Sequence, residues 1–95
     1  MPEMRFTIRW PDGEIEECYS PSLVIKEHLE PGRSYPLAEF RERSRTALSI
    51  ASDRVRAKYG FACSRALAEI GRIDAGCGRF EDMPDPEVGI LSFQE

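Results

Sequence analysis

The chain has 95 residues, 41% hydrophobic and 32% charged, with 13 Lys or Arg against 17 Asp or Glu and a net charge of −4. That length supports one small core and a single domain over 1–95, and the apolar share excludes a disordered chain. No uninterrupted apolar run exceeds three residues, which argues against a membrane-crossing helix, a secretory signal and hence any membrane partner.

The charge is unevenly placed. Residues 1–32 carry −4, residues 33–79 carry +5 and residues 80–95 carry −5. Such a layout favours the acidic ends folding back on the basic middle, or one face meeting a charged partner. Nucleic acid is not the expected partner. Overall acidity, the interspersed Glu39, Glu42 and Asp53, and the lack of a basic stripe with exposed aromatics all weigh against it. An odd set of cysteines, Cys18, Cys63 and Cys77, gives no disulfide framework and fits free thiols in a cytoplasmic protein.

Met4 to Trp10 alternates, with Met4, Phe6, Ile8 and Trp10 on one face of a predicted strand. Asp12-Gly13 predicts a two-residue hairpin turn. That turn sets Trp10 opposite Ile15 and Phe6 opposite Tyr19, with Thr7 opposite Cys18 on the other face and Glu17 awkwardly beside Ile8. Ser20-Pro21-Ser22 then reads as a capping hydroxyl and first-turn proline opening a short helix over 23–29; a third short strand there is the alternative. Ser34-Tyr35-Pro36 leads into the main element. Leu37, Phe40, Ala47, Leu48, Ala51, Val55 and Tyr59 form the stripe of a long amphipathic helix, closed by Gly60.

A second helix runs from about Ala62 to Gly76, with Ala62, Cys63, Ala66, Leu67, Ile70, Ile73 and Cys77 sharing a face. After an acidic loop, Val88 to Phe93 reads as a closing strand with apolar residues on both faces. The predicted fold is a two-layer α+β domain. The N-terminal hairpin and the C-terminal strand form a small sheet, packed against the long helix and the second helix.

No complete catalytic constellation is visible, so the chain is not expected to be an enzyme. Cys63, early in the second helix beside Arg65, is the one thiol placed for activation by a helix dipole; a buried packing role is the competing reading. Cys18, His28, Cys63 and Cys77 are ligand types, but without a closely spaced pair they predict no metal site, and no Gly-rich phosphate loop or other cofactor motif is present. His28 lacks a second acid–base group and suits a helix C-terminus. Arg41, Arg45 and Arg56 flank the stripe of the long helix. Within that flank Arg45, Ser49, Ser52 and Arg56 make a ridge of small hydroxyls between two guanidinium forks, suited to an anion or a partner's carboxylates. The alternative is a solvated flank with local pairs Glu39–Arg43, Glu42–Arg45 and Asp53–Arg56.

Several runs resemble a known family. They are Met1-Pro2-Glu3-Met4-Arg5-Phe6, Trp10-Pro11-Asp12-Gly13, Cys18 to Val24, Glu30-Pro31-Gly32, Tyr35-Pro36-Leu37, and the long stretch from Ser44 to Ala66. Over about residues 1–70 the chain resembles the nitrogen starvation response family of small bacterial proteins. Their genes lie in clusters with a nitrilase, a radical S-adenosylmethionine protein, an acetyltransferase and a flavoprotein. The resemblance implies a setting in nitrogen limitation and nitrile- or cyanide-related metabolism, and it brings no assigned site residue or cofactor. The expected function is that of a small non-catalytic accessory protein binding another cluster-encoded protein or a second copy of itself. A sensor for an anionic metabolite, and less favoured a thiol enzyme using Cys63, are the alternatives.

Overall fold

Met4, Phe6, Ile8 and Trp10 are all buried along and just beyond β1 (Met4–Arg9), as the alternation requires. The computed structural model describes residues 2–61 and 63–95. β1 pairs antiparallel with β2 (Ile15–Ser20), but Phe6 lies opposite Cys18 and Ile8 opposite Glu16. That is one residue away from the expected pairing, and proline is the reason. In a two-residue Asp12-Gly13 loop the residue just before the loop must donate its N–H across the turn, and that residue, Pro11, has none. The Trp10 N–H donates to the Glu14 carbonyl instead, the Gly13 N–H donates to the Trp10 carbonyl, both at 2.8 Å, and Gly13 adopts φ 91°. The loop therefore has three residues. A one-residue shift moves every side chain to the opposite face: Cys18 and Ser20 turn to the core, and Ile15 is left 57% exposed. Tyr19 faces Arg5 rather than Phe6, and Arg65 lies 3.8 Å over its ring.

Residues 23–27 form a 3-10 helix (Leu23–Glu27), so the helical reading holds over the strand. Its cap is Ser22, whose Oγ accepts from the Val24 N–H at 3.3 Å. Ser20, the cap expected from the sequence, donates its hydroxyl to the Ser22 carbonyl at 2.7 Å. Ser34–Pro36 is more than a lead-in: it pairs as β3 along β4 (Glu87–Gln94). The sheet is antiparallel with order β2-β1-β4-β3. In β4 the register slips opposite Thr7 and Ile8, so Ile90 faces Ile8 while Phe93 faces Phe6. Such a bulge resets the two-residue period, which is why the apolar residues of β4 do not alternate and Leu91 points outward.

Two helices, α1 (Leu37–Tyr59) and α2 (Ser64–Gly78), form the second layer. The expected start of α2, Ala62, lies outside the described residues. The Leu37 N–H, left without an intrahelical partner, donates to the Pro86 carbonyl at 2.9 Å. Between the layers the Trp10 ring stacks on Phe80 at 5.8 Å and meets Phe40 edge-on at 6.0 Å. Gly76 of α2 sits directly over this ring, and a Cβ there would fall 2.5 Å from Trp10 Cη2. Only glycine lets helix and indole come so close.

α1 outruns the sheet. Its 23 residues rise about 34 Å, whereas a six- to eight-residue strand spans only about 20–27 Å. The buried residues of α1 end at Ser52, and Tyr59, expected on the buried stripe, is 53% exposed. The domain is correspondingly elongated, 42 × 23 × 18 Å. Its acidic ends do return to the basic middle, through Arg41–Glu81 at 2.9 Å, Arg72–Glu16 at 3.2 Å, Arg79–Glu14 at 3.5 Å and Arg65–Glu3 at 3.9 Å.

Candidate functional site

Glu16 and Cys18 are two apart on β2 and so share the core-facing side of the strand. Glu69 descends on them from α2, at a position in phase with the buried Ala66, Ile73 and Cys77. One sulfur and two carboxylate oxygens thereby lie within 4.8 Å of one another. Glu16 is oriented from two sides: the Trp10 Nε1–H donates to its Oε1 and the Arg72 Nη2 to its Oε2, each at 3.2 Å. Glu69 is only 4% exposed, and its Oε1 has no hydrogen-bond partner; Arg72 Nη2 stops 3.5 Å away. Burial pushes the Glu69 carboxyl above the usual range, against the pull of Arg72. Burial likewise pushes the Cys18 thiol far up, and Glu69 and Glu16 push it further. As it stands this thiol is a poor nucleophile.

The ridge expected on α1 does not assemble. Arg45 reaches across to Asp74 of α2, and Arg41 joins it at 3.0 Å while also holding Glu81. Ser49 is exposed, Ser52 is buried, and Arg56 stands in solvent on the overhanging end of the helix. The two arginines that were to close the ridge lie eleven residues apart, about 16 Å along the axis, too far for one small anion. Of the local pairs, Glu39–Arg43 forms at 3.2 Å. The Arg41–Asp74–Arg45 cluster instead borders a groove of about 560 Å³, lined by Pro36, Leu37, Ala38, Cys77 and Pro86. Asp74 feels burial, which alone would raise its pKa, but its hydrogen bonds from Arg41 and Arg45 win and hold it below the usual carboxylate range.

Cys63 is half-buried at the N-cap of α2, not on the buried stripe, and its side chain makes no capping hydrogen bond. Cys77 is buried, and burial raises its thiol to about 11. His28 caps the 3-10 helix through its backbone N–H and gives its carbonyl to Arg43 at 2.9 Å. Among the described residues, the four metal-ligand types Cys18, His28, Cys63 and Cys77 therefore do not converge; Cys18 meets two glutamates that sequence reasoning did not select.

Beyond the sheet, the corner between α1 and α2 exposes Tyr59 by 53%, Phe61 by 68% and Leu67 by 53%. Arg56 and Lys58 on α1 and Arg65 on α2 stand near them in the chain, and Lys58 Nζ lies 5.5 Å from the centre of the Tyr59 ring. No helix among the described residues is long and apolar enough to cross a membrane. Against known proteins, a family model described as nitrogen starvation-induced protein NitG matches residues 5–93. The match runs past the motif-bearing first 70 residues and through most of β4. No curated protein and no solved structure matches the chain.

Proposed function

The chain belongs to the NitG family of nitrogen starvation-induced proteins, and from that membership we propose that it is a non-catalytic accessory protein that works by docking on another protein. The observation that carries this reading is the overhanging α1–α2 corner. Three large apolar side chains, Tyr59, Phe61 and Leu67, are exposed there, with Lys58 against the Tyr59 ring and Arg56 and Arg65 close by in the chain. Aromatic and aliphatic anchors encircled by charge are the usual make-up of a protein-binding hot spot. The partner chemistry that fits is an apolar cleft with an acidic rim. The gene-cluster setting implied by the family resemblance supplies the first proteins to try, the nitrilase and its neighbours, with a second copy of this chain as the other partner. The three free thiols fit a cytoplasmic setting.

The test is co-purification of the chain with each cluster-encoded protein, and sedimentation of the chain alone across micromolar concentrations. The expected result is one retained partner, or a concentration-dependent dimer, lost in a Phe61→Ser, Leu67→Ser double variant whose thermal midpoint is unchanged. A monomer that retains none of these proteins refutes the proposal. One observation favours a second reading: the groove beside Arg41 and Arg45 has the volume of a small-molecule site. An anionic metabolite there would have to compete with Asp74 for both guanidinium groups. Thermal-shift screening with nitrogen metabolites would reveal it as a raised midpoint.

A further inference from the structure

We propose that Glu16, Cys18 and Glu69 form a binding site for one divalent cation of the zinc class, held by one thiolate sulfur and two carboxylate oxygens. The donor set comes from two elements that the fold holds rigidly together, adjacent inward positions of β2 and one turn of α2. The donor atoms already lie within 4.8 Å of one another. Tetrahedral zinc, with bonds of about 2.3 Å to sulfur and about 2.0–2.2 Å to oxygen, sets its ligand atoms about 3.3–3.7 Å apart. Closure therefore needs movements of only about 1 Å, within the reach of glutamate side chains.

The second observation is an under-satisfied oxygen. Glu69 Oε1 is buried and without a hydrogen bond, with Arg72 Nη2 3.5 Å away, on a side chain that offers a carboxylate oxygen to Cys18 and Glu16. Buried carboxylate oxygens are almost always satisfied, and one that is not calls for a partner. A cation between the three side chains provides it. Charge agrees. With the thiol ionised, the cluster carries three negative charges, and a divalent ion in the place of Arg72 offsets two of them where the arginine offsets one. Formation of the metal–sulfur bond releases the Cys18 proton to solvent. Sulfur among the ligands selects zinc-like ions over magnesium or calcium, which prefer all-oxygen sites. The Trp10 N–H on Glu16 Oε1 is then an outer-shell contact that fixes the orientation of a ligand.

Access and the fourth coordination position lie on the side of Arg72. Its side chain is 57% exposed and bridges Glu16 and Glu69. Surface hollows open on either side of it, one bordered by Glu14, Glu16 and Ala75, the other by Tyr19, Ala68 and Glu69. Arg72 acts as a resident cation that the metal displaces.

The experiment titrates the reduced, metal-free chain with cobalt(II), then with zinc. One equivalent of cobalt should produce a thiolate-to-cobalt charge-transfer absorption, zinc should bleach it, and zinc should raise the thermal midpoint. Cys18→Ser should abolish the absorption. Glu69→Gln, nearly isosteric and free of the buried charge, keeps the test open if the cysteine variant fails to fold; it should weaken binding by at least about tenfold. Arg72→Gln should tighten binding, and Cys63→Ser should leave it unchanged. The proposal is overturned by absence of the absorption in the unmutated chain, by its survival in Cys18→Ser, by its loss in Cys63→Ser, or by unweakened binding in Glu69→Gln.

Discussion

Replacing Gly76 by alanine should destabilise this domain even though alanine is the better helix former. The new Cβ would lie 2.5 Å from Trp10 Cη2 and 2.6 Å from Cζ2, where carbon pairs prefer about 3.5–4.0 Å. The indole cannot swing aside: it is stacked on Phe80, set edge-on to Phe40 and tied through Nε1 to Glu16. Relief must come from pushing α2 off the sheet, and overpacking of this kind costs about 1–3 kcal/mol. Two such contacts on a pinned ring place the cost near the top of that range. Helix propensity returns about 1 kcal/mol, so about 2 kcal/mol of net loss remains, a fall of about 8–16 °C in midpoint for a domain this size. Gly71 lies in the same helix with no atom within 4 Å of a built Cβ. Gly71→Ala should therefore stabilise by about 0.5–1 kcal/mol. Urea and thermal unfolding followed by circular dichroism measure both variants. In a Trp10→Phe background, which lacks the ring atoms that clash, Gly76→Ala should lose its penalty. Equal stabilisation by both alanines in the unmutated background would refute the packing of α2 on Trp10 described above.

Asp74, with its lowered folded-state pKa, contributes stability that is present above the unfolded value of about 3.9 and disappears as pH falls through the folded value. Asp74→Asn should cost on the order of 1 kcal/mol at neutral pH, and the gap between the two chains should begin to close as the pH falls below about 3.9; a gap that stays constant on further acidification in urea titrations would show that the loss is not electrostatic. Thiol labelling of the native chain should be rapid at the half-buried Cys63 and should reach the buried Cys18 and Cys77 only in denaturant. Rapid native labelling of Cys18, located by peptide mass analysis, would contradict the inward register of β2.

The layers of the fold were legible because burial imposes period two on β1 and a repeating stripe on α1, and both patterns stand in the residue types. What escaped sequence reading has physical causes. β3 is three residues long, too short to show a period, and exists because β4 offers it a free edge. The bulge in β4 blurs its alternation. The apolar stripe assigns Tyr59 to the core because helical periodicity says which side of a helix is apolar, not where the sheet beneath it ends. Tyr59 continues the stripe of Leu48 and Ala51 into solvent, and that discrepancy between pattern and burial is what supports a docking surface there.

The cluster around Cys18 was hidden by a different route. Asp12-Gly13 suggested a loop one residue too short, which turned Cys18 away from the core and paired Glu17, not Glu16, with Ile8. The correct sign was present in Pro11, since a residue without an N–H cannot take the first position of that turn. With the register moved by one, Glu16 and Cys18 face inward together, and the question becomes what opposes them. On α2 the buried spacing Ala66, Ile73 and Cys77 turns positions 69 and 70 inward; Ile70 packs against the core, and glutamate holds the more buried of the two places. An acidic residue in phase with a buried stripe is costly unless something satisfies it. That cost would make Glu69 and Cys18 the informative pair in this chain, ahead of the more reactive-looking Cys63: their burial has to be balanced by a proton or by a cation, whereas a half-exposed thiol demands nothing of its surroundings.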